Sequence, residues 1–242
     1  MQRYEFAAAN LPPRARVLDV GCGVGYGSAL LAERGALSVV AVDLSAEAID
    51  LARRHFDRPA ITWIVDDAHM LTQVDSQEPF DLICNLENLE HLADPDRFLA
   101  RARALLKEGG ALVTSTPNRV GVNRMRGLAA DAPSPNRFHQ REYSLSEFHA
   151  LLTRHFDGIR FAFQTLDPLS RLELEPAVTA LWHNPAVRLG RWLQRALRRR
   201  PVPERIKELL APRRYQILER DPGDALVLTQ LAICTGPRRE RM

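Results

Sequence analysis

The chain has 242 residues, 45% hydrophobic and 26% charged, which is ordinary for a globular protein and enough for one α/β domain with an added piece. Its three cysteines, Cys22, Cys84 and Cys234, are scattered and form no CxxC pair, so neither a zinc site nor a disulfide framework is indicated. The net charge of +3 is uneven: ten Lys/Arg face two Glu between Arg188 and Arg214, which leaves the remainder mildly acidic.

RVLDV (16–20) is a short buried-strand pattern, and GSALLAERG (27–35) reads as a helix ending at Gly35. SVVAVD (38–43) is a second strand, after which Ser45 caps a helix over AEAIDLARRHF. ITWIVDD (61–67) and FDLICNL (80–86) are further strands. DPDRFLARARALLKEGG (94–110) reads as a helix closed by its glycine pair, and ALVTSTP (111–117) as a strand stopped by Pro117. Residues 118–142 read as a polar loop, and 144–156 as a helix capped by Ser144 or Ser146. IRFAFQTL (159–166) and 224–234 are the last strands, separated by about 57 residues. The expected fold is α/β: a doubly wound, mostly parallel seven-stranded sheet with a helical insertion before its last strand. The expected division is a core of 1–166 with 224–236, and a basic insertion at 167–223. MQRYEFAAAN lacks a basic segment followed by an apolar run, and no stretch approaches the roughly 20 apolar residues of a membrane span, so a cytoplasmic location is expected.

VLDVGCGVGYGS (17–28) carries glycines 21, 23, 25 and 27 where the first strand turns into the first helix. Bare backbone there lets a ligand approach, and a helix N-terminus favours an anion. Asp43, at the end of the next strand, is placed to accept from both hydroxyls of a ribose. A dinucleotide GxGxxG fails in both registers, at Tyr26 and at Ser28, while GxGxG fits; no GK[ST] follows. Asp66 and Asp67 add carboxylates at the same sheet edge.

These stretches, with AVDLS, DDAHML and FDLICNLENLEHLADPDRFLARARALLKEGGALVTSTPNR, resemble the class I S-adenosylmethionine-dependent methyltransferases, with their Rossmann-like fold, over 14–165 and 224–234. FDLICNLENLEHL is similar to the small-molecule and quinone O-methyltransferase branch. RYEFA, YGSALLAE and NRFHQREYSLSEF are similar to bacterial members associated with glycan and lipid biosynthesis. The resemblance implies S-adenosylmethionine as cofactor. It implies that Gly21, Cys22, Gly23, Gly25 and Tyr26 cradle the methionine part, and that Asp19 serves its ammonium through the loop or a water. By the same resemblance Asp43 holds the ribose with Leu44 beside the adenine, and Asp67 takes the adenine amino group with Ala68 adjacent. Asn85 and Leu86 line the methyl-donor pocket, and Tyr4 closes over the cofactor.

Transfer from a sulfonium needs alignment, and a hydroxyl acceptor also needs a base or a metal. The candidates are Glu87 and His91, four apart and on one face of a helical turn, and His139 in the loop after the fifth strand. Each has a second reading: His91 and His139 as residues that pin their loops, Glu87 as a pocket wall, and Glu90 as a structural acid. No metal site is read, because one Glu and one His do not define one. PAVRLGRWLQRALRRR (185–200) places Leu189, Trp192, Leu193, Ala196 and Leu197 on one stripe amid arginines, which suits an anionic membrane surface over 186–200, a lid, or plain packing. The expected partner is a small-molecule acceptor, a sugar, lipid-linked or quinone-like compound methylated at oxygen. NLEN after the fourth strand departs from the [DNS]PP[YFW] pattern, which counts against a nucleic acid. That reading and a non-catalytic cofactor-binding protein stay open as alternatives, and the oligomeric state is not legible.

Overall fold

The computed structural model describes residues 1–74, 78–134, 136–166, 215–219 and 227–237. Strands β1 (Arg16–Val20), β2 (Ser38–Asp43), β3 (Ile61–Val65), β4 (Phe80–Leu86), β5 (Leu106–Pro117), β6 (Phe156–Leu166), β7 (Tyr215–Leu218) and β8 (Val227–Pro237) form one sheet in the order β3-β2-β1-β4-β5-β8-β6-β7. The first five strands pair in parallel, and β8, β6 and β7 complete the sheet antiparallel. The apolar runs of β1, β2 and β4 are buried on both faces, which is why they carry no polar alternation.

Helices α1 (Gln2–Ala9), α2 (Tyr26–Glu33) and α3 (Ala46–Phe56) cover one face, where Phe6, Leu31, Ile49 and Trp63 pack. Helices α4 (Pro95–Leu105) and α6 (Leu145–Leu152) cover the other through Phe98, Leu99, Phe148 and Leu152. Side chains start the helices as expected: Ser45 accepts from the Ala48 amide, and Ser144 forms a reciprocal capping box with Glu147. The three cysteines are buried and free.

The structure departs from the sequence reading in four places. The sheet has eight strands rather than seven, because β7 pairs with the end of β6 inside the stretch assigned to a helical insertion. Gly109 and Gly110 lie within β5 and do not close α4, which ends at Leu105. Leu106 already pairs with Phe80, and the register shifts before Leu82 meets Ala111, so the glycines absorb an irregularity in the strand. The N-terminal ten residues hold α1, and the loop after β5 holds a short helix, α5 (Arg119–Met125), capped by Asn118. The basic stretch 186–200 lies outside the described residues.

The C-terminal ends of β1, β2, β4 and β5 share one edge. Leu166 pairs with Tyr215, and Val227 with Thr165, so β6 ends and β7 and β8 begin at that edge too. No helix among the described residues is long and apolar enough to cross a membrane.

Candidate active site

A cleft of about 180 Å3 opens at this edge, lined by residues that include Gly21, Asp43, Leu44, Asp67, Ala68, His69, Asn88, His91 and Leu92. The four glycines of the first turn serve different neighbours. A Cβ on Gly21 would strike the Asn88 side chain, one on Gly25 would strike Trp63 and Ala52, and one on Gly27 would overlap the Tyr4 ring. Close approach is therefore needed at all but one of these positions by the protein's own side chains, and Gly23 alone of the four leaves open space.

Asp43 locks this turn to β2: Oδ2 accepts from the Gly23 amide at 2.7 Å and Oδ1 from the Ser45 amide at 2.9 Å. A carboxylate offers about four lone-pair positions, so two remain for the hydroxyls of a ribose. Asp66 is committed to its own loop through the amides of Asp67 and Gln73. Asp67 accepts from the His69 amide and ring through Oδ1, at 2.8 and 2.7 Å. These bonds to His69 hold the Asp67 carboxyl below its usual range, against a small opposing effect of burial. His69 Nε2 in turn accepts from the Asp94 amide at 3.3 Å, joining the β3 loop to the cap of α4.

Asp19 is fully buried and reaches no ligand directly. It accepts from Tyr4 Oη at 3.1 Å and from Ser28 Oγ at 2.6 Å. Burial raises its pKa to about 6, against the lowering influence of these two hydroxyls. Tyr4 fills the notch at Gly27 and meets Tyr26 edge-on, with ring centroids 5.5 Å apart, so it braces the turn from beneath and does not line the cleft. Tyr26 is largely exposed, and the Cys22 and Asn85 side chains are buried. The Asn85 amide points back to Val20 O and Leu86 is buried beside it, leaving only backbone at that strand end for a ligand.

The expected Glu87–His91 face does not form. Glu87 has φ of +55°, and its carboxylate turns to Ser115 Oγ at 2.9 Å and toward Arg3. The single 3-10 turn Leu89–His91 then carries His91 the other way. His91 Nδ1 lies 3.0 Å from the Phe138 carbonyl, which can only accept, so Nδ1 carries the hydrogen and Nε2 the lone pair. The His139 ring meets His91 edge-on at 4.8 Å. His139 itself is saturated. Asn136 Oδ1 accepts from the Phe138 amide, which turns Asn136 Nδ2 to His139 Nε2 at 2.7 Å. His139 Nδ1 then donates to Glu142 Oε1 at 2.7 Å.

Glu90 is 1% exposed, and its Oε2 has no partner among the described residues. Burial, then the charge of Glu87, pushes its pKa up to about 8. Glu90, His91 and His139 offer ligand atoms within 4.8 Å of one another, a grouping that sequence spacing does not show. A cation there would have to displace Asn136 from His139. Asn88 and His69 are the cleft residues that sequence reasoning missed. Asn88 follows a strand with no periodic signal, and His69 is recognisable only through its bond to Asp67.

Residues 1–155 match the family model described as a methyltransferase domain. The ubiquinone biosynthesis O-methyltransferase of Coxiella burnetii (strain RSA 493 / Nine Mile phase I) is 45% identical over 105 residues, 43% of this chain and 44% of that protein. The protein of the same name from Xanthomonas axonopodis pv. citri (strain 306) is 39% identical over 120 residues, 48% of this chain and 49% of its own. The chain thus spans about half the length of the curated relatives it matches. The S-adenosylmethionine-dependent methyltransferase of Mesorhizobium loti superposes with a TM-score of 0.61 at 18% identity, covering 98% of both chains. N-methyltransferase NodS from Bradyrhizobium japonicum WM9, solved with S-adenosyl-L-homocysteine, superposes at 0.51 with 21% identity, covering 66% of this chain and 74% of that one. The chain belongs to the methyltransferase domain family of class I S-adenosylmethionine-dependent enzymes.

Proposed function

We propose that this protein transfers the methyl group of S-adenosylmethionine to a hydroxyl of a small-molecule acceptor, with His91 as general base. The carrying observation is the state of His91: Nδ1–H is fixed on the Phe138 carbonyl, and the free Nε2 lone pair lies on a residue of the donor cleft. His139 steadies that ring from its edge and is in turn held by Glu142 and Asn136. The cofactor supplies an activated methyl on sulfur, so the protein's task is to align the acceptor oxygen and accept its proton. The hydroxyl proton passes to His91 Nε2, and the imidazolium is stabilised by its existing bond to Phe138 O.

A hydroxyl on a ring, as in a quinone-like compound, is the acceptor class favoured by the two relatives named O-methyltransferases. A screen of phenolic, sugar and lipid-linked acceptors read by product mass tests the class. His91→Ala is expected to lower kcat by about 100-fold or more with S-adenosylhomocysteine affinity unchanged. The wild-type rate is expected to survive EDTA. An unchanged kcat in His91→Ala would reject the base, and loss of activity in EDTA would move the proton chemistry to a cation at Glu90, His91 and His139.

Peripheral contact with an anionic membrane surface through 186–200 is a separate proposal resting on the sequence pattern. Deleting those residues is expected to reduce binding to anionic vesicles, and unchanged binding would reject it.

A further inference from the structure

A second cavity, about 550 Å3, shares the Leu92 wall with the donor cleft and lies on its other side. It is bounded by the turn entering α4, the strip Gln140–Tyr143 and one side of α6. Its volume falls among those of small-molecule sites, about 300–1,000 Å3. None of the groups assigned to donor binding or proton removal lines it.

The charges around it are unequally committed. Arg154 bonds Asp96 Oδ2 at 2.7 Å, but Asp96 Oδ1 is also held by His155 Nε2 at 2.7 Å. Arg141 bonds Glu147 Oε1 at 3.1 Å, but Glu147 also takes Arg119 at 2.8 Å and the Ser144 amide at 2.8 Å. The Asp94 carboxylate is engaged as the cap of α4. Each acid therefore has a second partner, so either arginine can turn to a ligand without stranding a carboxylate. The two side chains are 57% and 59% exposed, and exposed pairs of this kind are worth about 0–1 kcal/mol, so exchanging them is cheap. Tyr143 lies between them: its ring is buried, Arg141 stands 5.3 Å from its centroid, and its hydroxyl has no hydrogen-bond partner among the described residues.

We propose that this cavity binds a small molecule through a phosphate group, held by the forks of Arg141 and Arg154 with the Tyr143 hydroxyl as a third donor. Two planar guanidinium groups and a hydroxyl match the several oxygens of a phosphate monoester better than the two of a carboxylate. The site does not depend on which acceptor is methylated. It does adjoin the chemistry, because the amides of Gln140 and Arg141 both bond the Glu90 carbonyl, at 2.8 and 3.2 Å.

The test is a titration of the full chain with phenyl phosphate at constant ionic strength, followed by calorimetry, with benzoate as the carboxylate probe. Saturable phenyl phosphate binding is expected. Arg141→Gln and Arg154→Gln should each weaken it about tenfold, since charged hydrogen bonds contribute about 1.5–3 kcal/mol, and the double variant should abolish it. S-adenosylhomocysteine affinity should be unchanged in all of them. No saturable binding in the wild type, equal binding by the double variant, or tighter binding of benzoate would overturn the proposal. If the arginine variants lose S-adenosylhomocysteine binding as well, Tyr143→Phe decides: a several-fold loss of phenyl phosphate affinity supports the site, and an unchanged affinity overturns it.

Discussion

The Gly23–Asp43 turn and the strip around Glu90, which the proposed function reads as donor and acceptor sides, lie on one sheet edge and hold their carboxylates in opposite ways. On the donor side the carboxylates are already satisfied, while Asn88 Nδ2 is buried without a partner among the described residues. Asp43 is held by the Gly23 and Ser45 amides, Asp66 by its own loop and Asp67 by His69. On the acceptor side, Glu90 Oε2, Glu142 Oε2 and Gln230 Oε1 are buried without partners among the described residues. Each such atom costs about 1–3 kcal/mol. The carboxylates of the first half are thus held in place by the fold, and those of the second are under-bonded.

The strongest way to break this contrast is Asp43→Ala. It removes the proposed ribose acceptor and also releases the Gly23 amide, so S-adenosylhomocysteine affinity should fall by about 100-fold or more, read by calorimetry. A change under threefold would mean that the turn is not organised by Asp43. Next in size is Gly27→Ala, which forces Tyr4 out of its notch. Overpacking of this kind costs about 1–3 kcal/mol, read as a lowered thermal midpoint. In a Tyr4→Ala background the same substitution should cost much less, a non-additivity that independent sites do not show.

The smallest effect sharpens the acceptor side. The pKa of Glu90, raised to about 8, lies above its unfolded value, so the folded state binds the proton more tightly. Stability from this group is therefore fully present below the unfolded value of 4.5 and is lost progressively as pH rises from there to about 8. Glu90→Gln keeps the shape without the charge. It should raise the thermal midpoint by a few degrees at pH 9, change it little near pH 4, and flatten the slope between them. An identical slope in both proteins would show that Glu90 is not the group responsible.

How far the sequence carried the reading follows the same division. Strands β1, β2 and β4 and helix α3 fall where periodicity and caps put them, because doubly buried parallel strands and a serine-capped helix have local signatures. Asp43 and Asp67 lie at the ends of recognisable strands, and the structure places both in the cleft. The acceptor side was not legible, because its contacts are made by turns. Glu87 and His91 look paired at helical spacing, yet a positive φ at Glu87 sends them apart. His139 looks like a free base, yet both its nitrogens are occupied by neighbours on an irregular strip. The glycines read in the sequence as room for a ligand, yet most of what approaches them is Tyr4, Trp63 and Asn88, and no local pattern announces such partners.

The lodging of α1 against the Gly27 notch bears on the order in which the protein comes together. Tyr4 binds the floor of the first turn, while its neighbour Arg3 bonds Gln164, 161 positions later in the chain. Synthesis proceeds from the N-terminus, so Arg3 leaves the ribosome long before the strand that receives it exists. Helix α1 can thus brace the first turn early through Tyr4, but its Arg3 anchor is set only after β6 has been translated.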